Sequence, residues 1–334
     1  MTAAGATTKK RVFSGIQPSG DIHIGNYLGA IRYWVAAQDE NDCVFSIVDL
    51  HAITVLQNPE ILKRRTREVA GLLIAAGLDP QRSTLFIQSR ISAHAELAWI
   101  LNCTIPMGWL LRMTQFKDKS QKGKDSASVG LFDYPALLAA DILLYDTDLV
   151  PVGNDQIQHL ELTRNIAARF NTTYGTTFKV PEALVPDVGA RIMALDDPFT
   201  KMSKSDTRTD HALNLLDDVD TIRVKIARAA TDSHREIRFD RSRPGVYNLL
   251  VIYELVTGLS RKEIENRFSN QGYTELKNEL AEAVVEHLRP LQNRYRQLMR
   301  DPGRIDTLLD EAAAKAQVMA GKKLCLVKER MGLG

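Results

Sequence analysis

Two short segments carry residue types suited to phosphate chemistry. The first, Gly15-Ile-Gln-Pro-Ser-Gly20-Asp-Ile-His23-Ile-Gly25-Asn26, sets glycines at close spacing ahead of a stretch in which Leu28, Ile31 and Val35 share one helical face. Glycine lets backbone approach a ligand closely, and a helix that begins there offers unbonded N–H groups and partial positive charge to an anion. His23 and Asn26 add side-chain donors. The second segment, Lys201-Met202-Ser203-Lys204-Ser205, sets two ammonium groups among hydroxyls. Such a pair suits a triphosphate whose charge moves toward a departing pyrophosphate. Each segment has a plain reading as well, a capped glycine turn and a solvated basic linker; their joint presence favours phosphate. Neither G-x-G-x-x-G after the first strand nor G-x-x-x-x-G-K-[ST] occurs, which disfavours dinucleotide dehydrogenases and P-loop NTPases.

A third feature is Asp141 within the apolar run Tyr134 to Tyr145, YPALLAADILLY. A carboxylate there is costly unless a donor meets it, whether a ligand, an internal arginine or a neighbouring helix end. Of the seven histidines, His23 alone is placed to meet phosphate, as a hydrogen-bond donor; His94 and His159 read as capping or packing groups, and Trp34, Trp99 and Trp109 as packing.

These residues need a scaffold. Arg11–Gly15, Val44–Asp49, Thr84–Ser89 and Leu149–Gly153 read as buried strands, alternating with helical stretches such as Gly25–Gln38 and Pro59–Ala76. That alternation predicts a Rossmann-like, doubly wound parallel α/β sheet, with chemistry in the loops after Gly15, Asp49, Ser89 and Gly153. Beyond about Asp206 the reading is helical over Leu213–Ala229, Val246–Thr257, Arg261–Asn266, Tyr273–Met299 and Ile305–Lys328, with Pro244-Gly245 and Pro302-Gly303 as punctuation. The expected organisation is a disordered tail over 1–10, a catalytic domain over 11–200, the lysine-bearing loop 201–205 and an all-helical domain over 206–334. Within the first domain, the lysine-rich segment 116–128 reads as a mobile loop.

The 334 residues carry 43 Lys plus Arg against 41 Asp plus Glu, so net charge points to neither nucleic acid nor membrane. Cys43, Cys103 and Cys325 are odd in number and widely spaced, which argues against a disulfide framework or a cysteine zinc site and for a reducing, cytoplasmic setting. No apolar run reaches the roughly 18 residues a membrane helix needs.

With HIGN after the first strand and KMSKS at the change of texture, the chain resembles a class I aminoacyl-tRNA synthetase. FSGIQPSG at 13–20, MTQFKDK at 113–119, YPALLAADILLY at 134–145, VPVGNDQ at 150–156, HLELTRN at 159–165, GARIMAL at 189–195 and TDS at 231–233 are similar to the bacterial tryptophanyl-tRNA synthetases, over nearly the whole chain. Asn26, where the class signature has a second histidine, is common in that subgroup. The resemblance implies ATP-dependent formation of tryptophanyl-adenylate and transfer to tRNA(Trp), on the 2′-hydroxyl.

It also implies site residues. Gln17, Pro18, Ser19, Gly25 and Asn26 would hold ATP, Gly153, Asn154, Asp155 and Ile192 the adenosine, and the loop Lys201, Met202, Ser203, Lys204 and Ser205 the phosphates. Lys201 and Lys204 would stabilise pyrophosphate, joined by Lys119. Mg²⁺ would arrive on phosphate oxygens, with no metal ligand assigned to the protein. Asp141 would accept the indole N–H, within walls from Phe13, Tyr134, Leu138, Val150 and Val152, with Gln156 near the amino group and His51 nearby. Leu138 stands where some relatives carry methionine. The resemblance further implies a homodimer that binds an anticodon through its helical part, where Arg223, Lys225, Arg228, Arg235, Arg238, Arg241 and Arg243 are candidate contacts. Competing readings are a tyrosyl-tRNA synthetase, an RNA-binding paralogue without activity and a cytidylyltransferase-like enzyme. GIQPSG, the retained lysines with Asp141, and the long helical tail argue against each in turn.

Overall fold

The structure, a computed structural model, describes residues 9–113, 128–153, 156–184, 191–204, 206, 208–234 and 236–333. β1 (Arg11–Ile16), β2 (Asp42–Ile47), β3 (Ser83–Ile87), β4 (Leu149–Pro151) and β5 (Glu182–Leu184) form a parallel sheet in the order β3-β2-β1-β4-β5. Its inner strands are apolar on both faces, as a sheet covered on two sides requires. Strand alternation sorts them: Val12, Ile16, Phe45, Ile47 and Leu85 enter one core, and Phe13, Val44 and Phe86 the other. From β1 the chain runs outward through β2 and β3, then returns to the opposite side of β1 with β4 and β5. The connections therefore diverge between β1 and β4, and the crevice beyond Ile16 and Pro151 is the place where such sheets take ligands.

Helices cover both faces. After β1, α1 (Ile24–Asn26) runs through a π turn (Tyr27–Ile31) into α2 (Arg32–Ala37). After β2 comes the short α3 (Asp49–Ala52) and then α4 (Pro59–Ala76), whose bounds match the sequence reading. Asn58 Oδ1 accepts the Ile61 N–H at 3.1 Å, Pro59 takes a position needing no donor, and Gly77 closes the helix at φ 117°. α5 (Ala93–Asn102), α6 (Met107–Leu111), α7 (Val129–Leu143) and α8 (Ile157–Tyr174) build the other face.

Beyond residue 206 every described element is a helix: α9 (Val219–Arg228), α10 (Pro244–Thr257), α11 (Arg261–Arg267), α12 (Tyr273–Leu298) and α13 (Pro302–Met331). The expected helix over Leu213–Ala229 starts late, at Val219. Leu213 and Leu215 are buried on either side of half-buried Asn214, and their backbone pairs antiparallel with 22–24: the Ile24 N–H donates to the Leu213 carbonyl at 2.7 Å and the Leu215 N–H to that of Ile22 at 2.9 Å. A period of two with its backbone partners in place outweighs helical propensity there, and Asp218 then caps α9 through the Thr221 N–H.

The core on the α4 side continues from the sheet through Ile222 and Ile226 to Leu249, Leu276, Val284 and Leu288, so these helices share apolar packing with the sheet. α13 contributes Ile305 and Leu309 to that core and Ala316, Ala320 and Val327 to the other. It runs against β3 and so covers the sheet edge. Among the described residues no helix is long and apolar enough to cross a membrane.

Candidate active site

The two phosphate motifs meet at the carboxyl end of β1. Gly20 has φ 66°, and a Cβ there would lie 2.2 Å from the Lys204 carbonyl oxygen, so only glycine permits the contact. Lys204 Nζ donates to the Gln17 carbonyl at 3.0 Å. Behind this contact the Met202 N–H donates to the Ile192 carbonyl at 3.2 Å, Met193 and Lys201 form an antiparallel bridge, and the Met202 side chain is buried. The 22–24 and 213–215 pairing ties the chain after the lysine loop to the chain before α1. Burial pushes the Lys204 ammonium down to about 8. A cation already partly stripped of water is attracted more strongly to phosphate than one in bulk solvent.

His23 caps the helix beside them. Its Nδ1 accepts the Asn26 N–H at 3.2 Å, while Asn26 Oδ1 accepts the His23 N–H at 3.3 Å. Burial, reinforced by Lys204, His211 and Lys201, lowers its pKa to about 3, so the imidazole is neutral at neutral pH. With Nδ1 accepting, the ring hydrogen sits on Nε2, which makes His23 a donor and a poor base. At Gly25 a Cβ would stand 3.0 Å from His23 Nδ1 and 3.4 Å from Ile192 Cβ, so the helix start has no room for a side chain. Gln17 is exposed, Ser19 and Asn26 are half-buried, and Pro18 is buried.

Asp141 is wholly buried in α7, and three side chains donate to it. Oδ1 accepts from Gln88 Nε2 and His94 Nδ1, both at 2.6 Å, and Oδ2 accepts from His51 Nε2 at 2.8 Å. Burial alone would raise this carboxyl, yet the hydrogen bonds from His51 and His94 outweigh it and hold Asp141 at about 2. Tyr134 packs edge-on against His51 and bonds to His159 Nε2 at 2.5 Å. Leu138 is half-buried one turn before Asp141, and Gln156 is half-buried at the start of α8. Phe13 is sealed in the core, stacked on Tyr145 with ring centroids 5.7 Å apart, and Val150 and Val152 are buried at β4.

The chain as a whole has close counterparts. The family described as tRNA synthetases class I (W and Y) matches residues 6–289. The tryptophan–tRNA ligase of Caldanaerobacter subterraneus subsp. tengcongensis is 57% identical over 97% of this chain and 98% of its own length, and that of Wolinella succinogenes 54% over 97% and 99%. The chain belongs to this family, among its tryptophan–tRNA ligases. A solved tryptophanyl-tRNA synthetase from Campylobacter jejuni, complexed with ADP and tryptophan, superposes with a TM-score of 0.84 at 39% identity, covering 97% of this chain and all of that one.

Asn154, Asp155, Ser205, Lys119, Arg235, residues 1–8 and residues 114–127 of the lysine-rich region lie outside the described residues. Gly153 is exposed at the end of β4, and Ile192 presents its backbone to Met202. Two expected surface cations require correction. Lys225 is buried against Asp217 at 2.6 Å and the Ala212 carbonyl at 2.9 Å. Arg243 is buried against Asp232, the Glu236 carbonyl and Tyr273. Both serve packing because acidic partners fold back onto them. Arg223, Arg228, Arg238 and Arg241 lie at the surface, where Arg223 pairs with Glu282, Arg228 with Asp210 and Arg238 with Glu236 and Asp240. The sequence reading overlooked Gln88, His94 and Tyr145 as partners around Asp141. It also overlooked His211, whose Nε2 accepts the Ser203 N–H at 3.2 Å and whose Nδ1 faces Asp196 at the same distance. Gln88 and His94 did carry a signal: they flank the Ser89 loop expected to hold chemistry.

Proposed function

We propose that this chain activates L-tryptophan with ATP to tryptophanyl-adenylate and passes the amino acid to tRNA(Trp). The meeting of Gly20 and Gln17 with Lys204 beside the β1–β4 divergence is the observation that supports it most directly. The substrate carboxylate is itself the nucleophile, so the protein aligns it with the α-phosphorus and stabilises charge on the leaving pyrophosphate. Lys204 and Lys201 carry that charge, with Lys119 joining them. Met202, Ser203 and Ser205 join them in binding ATP. His23 donates from Nε2, and Gln17, Pro18, Ser19, Gly25 and Asn26 enclose the nucleotide. Gly153, Asn154, Asp155 and the Ile192 backbone receive the adenosine. Mg²⁺ enters with the substrate, held mainly by its phosphate oxygens and by water.

Asp141 accepts the indole N–H through Oδ2. Because the carboxylate is covered, the half-buried side chains of Leu138 and Tyr134 must yield as the ring enters, with Phe13, Val150 and Val152 supporting the slot from the core, His51 beside it and Gln156 toward the amino group. A site built to bond N–H rejects phenylalanine strongly. The chain works as a homodimer. Exposed Ile53, Val55, Leu56, Trp99, Met107, Leu111 and Val129 supply an apolar face suited to a second copy, with Thr54 and Ser128 joined by a hydrogen bond and α6 packed on α7. Trp99→Glu should shift the mass in sedimentation from dimer to monomer; a monomeric wild type would contradict the assembly. The test of function is ATP–pyrophosphate exchange with each of the twenty amino acids. Exchange with tryptophan alone is expected; exchange with tyrosine, or with none, would overturn the reading.

A further inference from the structure

Behind Asp141 lies a chain of donors that all point one way. Tyr145 Oη lies 2.8 Å from His94 Nε2, and His94 Nδ1 lies 2.6 Å from Asp141 Oδ1. A neutral imidazole donates from one nitrogen and accepts at the other. When the Tyr145 hydroxyl donates to Nε2, the ring hydrogen must sit on Nδ1, where it meets the carboxylate. The opposite tautomer would set two lone pairs against each other in a site with no water exposure. Gln88 is oriented in the same sense: its Oε1 accepts the Leu50 N–H at 3.2 Å, so its amide N–H₂ faces Oδ1. An ionised carboxylate offers about four lone-pair sites. Gln88 and His94 take those of Oδ1, and His51 takes one on Oδ2. One acceptor site remains, on Oδ2.

We infer that Tyr145 and His94 are specificity-positioning residues for tryptophan, fixing the His94 tautomer so that Asp141 keeps its last Oδ2 lone pair aimed at a ring N–H. This rests on the reading of Asp141 as the indole acceptor. Neither residue need touch the amino acid. They act through Asp141, so their loss removes preference for the N–H more than it removes affinity for the ring.

The test compares tryptophan with its benzothiophene analogue, in which sulfur replaces the indole N–H, by kcat/KM in pyrophosphate exchange. Tyr145→Phe keeps the ring stacked on Phe13 and deletes only the hydroxyl. His94→Ala removes the donor, and His94→Asn restores an amide donor close to the Nδ1 position. Tyr145→Phe should lower the tryptophan-to-analogue ratio about tenfold and His94→Ala at least as much, with KM for ATP unchanged, while His94→Asn recovers most of the ratio. Asp141→Ala should erase the preference altogether. A preference lost in Asp141→Ala but kept in Tyr145→Phe and His94→Ala would overturn the relay and leave the anchor standing. A preference kept in Asp141→Ala would overturn both.

Discussion

Alkaline pH should disarm Lys204 in the free enzyme. Burial holds its ammonium at about 8, where an exposed lysine titrates near ~10.4. About nine in ten molecules then carry the charge at pH 7 and about one in ten at pH 9. If this cation captures the phosphates, kcat/KM for ATP in tryptophan-dependent exchange falls about tenfold over that interval. Bound phosphate favours the charged lysine, so at saturating ATP the limb moves to higher pH. Lys204→Arg keeps a cation throughout the range and should lose the limb, even if the planar guanidinium lowers the rate overall. Lys204→Ala should slow adenylate formation by about 10² or more and leave tryptophan binding intact. A flat wild-type profile, or the same limb in Lys204→Arg, would refute the assignment of that charge.

Gly20→Ala should force the lysine loop away, because the new Cβ would collide with the Lys204 carbonyl at a positive φ. A stability loss of about 1–2 kcal/mol and a larger fall in exchange rate are expected, read by thermal melting and kinetics; an unchanged rate would mean that the loop contact is dispensable. His23 supplies a test by acid. Its folded pKa is lowered from 6.5 to about 3, so between those values the unfolded chain binds a proton that the folded chain refuses. That contribution to stability is complete above pH 6.5 and drains away as pH falls toward 3, at up to about 1.4 kcal/mol per pH unit. His23→Asn keeps a capping oxygen without titrating, and urea unfolding between pH 6.5 and 4.5 should show a shallower slope. Equal slopes in the two proteins would contradict a buried neutral His23.

Legibility from sequence followed the range of the forces involved. α4 could be read to the residue because Asn58, Pro59 and Gly77 act locally. The strand pairing of Leu213 and Leu215 could not, because these leucines fit a helical period until the Ile22 and Ile24 backbone claims their hydrogen bonds. β5, with its short and largely exposed Glu182-Ala183-Leu184, carries no apolar signal. In the site, Gly20, Lys204 and Asp141 stand out by type alone. Gln88, His94 and Tyr145 do not, since their value comes from Gln88 and His94 reaching one carboxylate from distant parts of the chain, with Tyr145 behind His94. Lys225 and Arg243 look like surface charge until Asp217 and Asp232 fold against them.

The most direct measurement is a crystal structure of the chain with tryptophan and a non-hydrolysable ATP analogue. The phosphates are expected between Lys204 Nζ and the glycine loop at Gln17–Gly20, with the indole N–H on Asp141 Oδ2. Phosphates seated away from both lysines, or an indole nitrogen facing another acceptor, would contradict the shared phosphate site and the anchor.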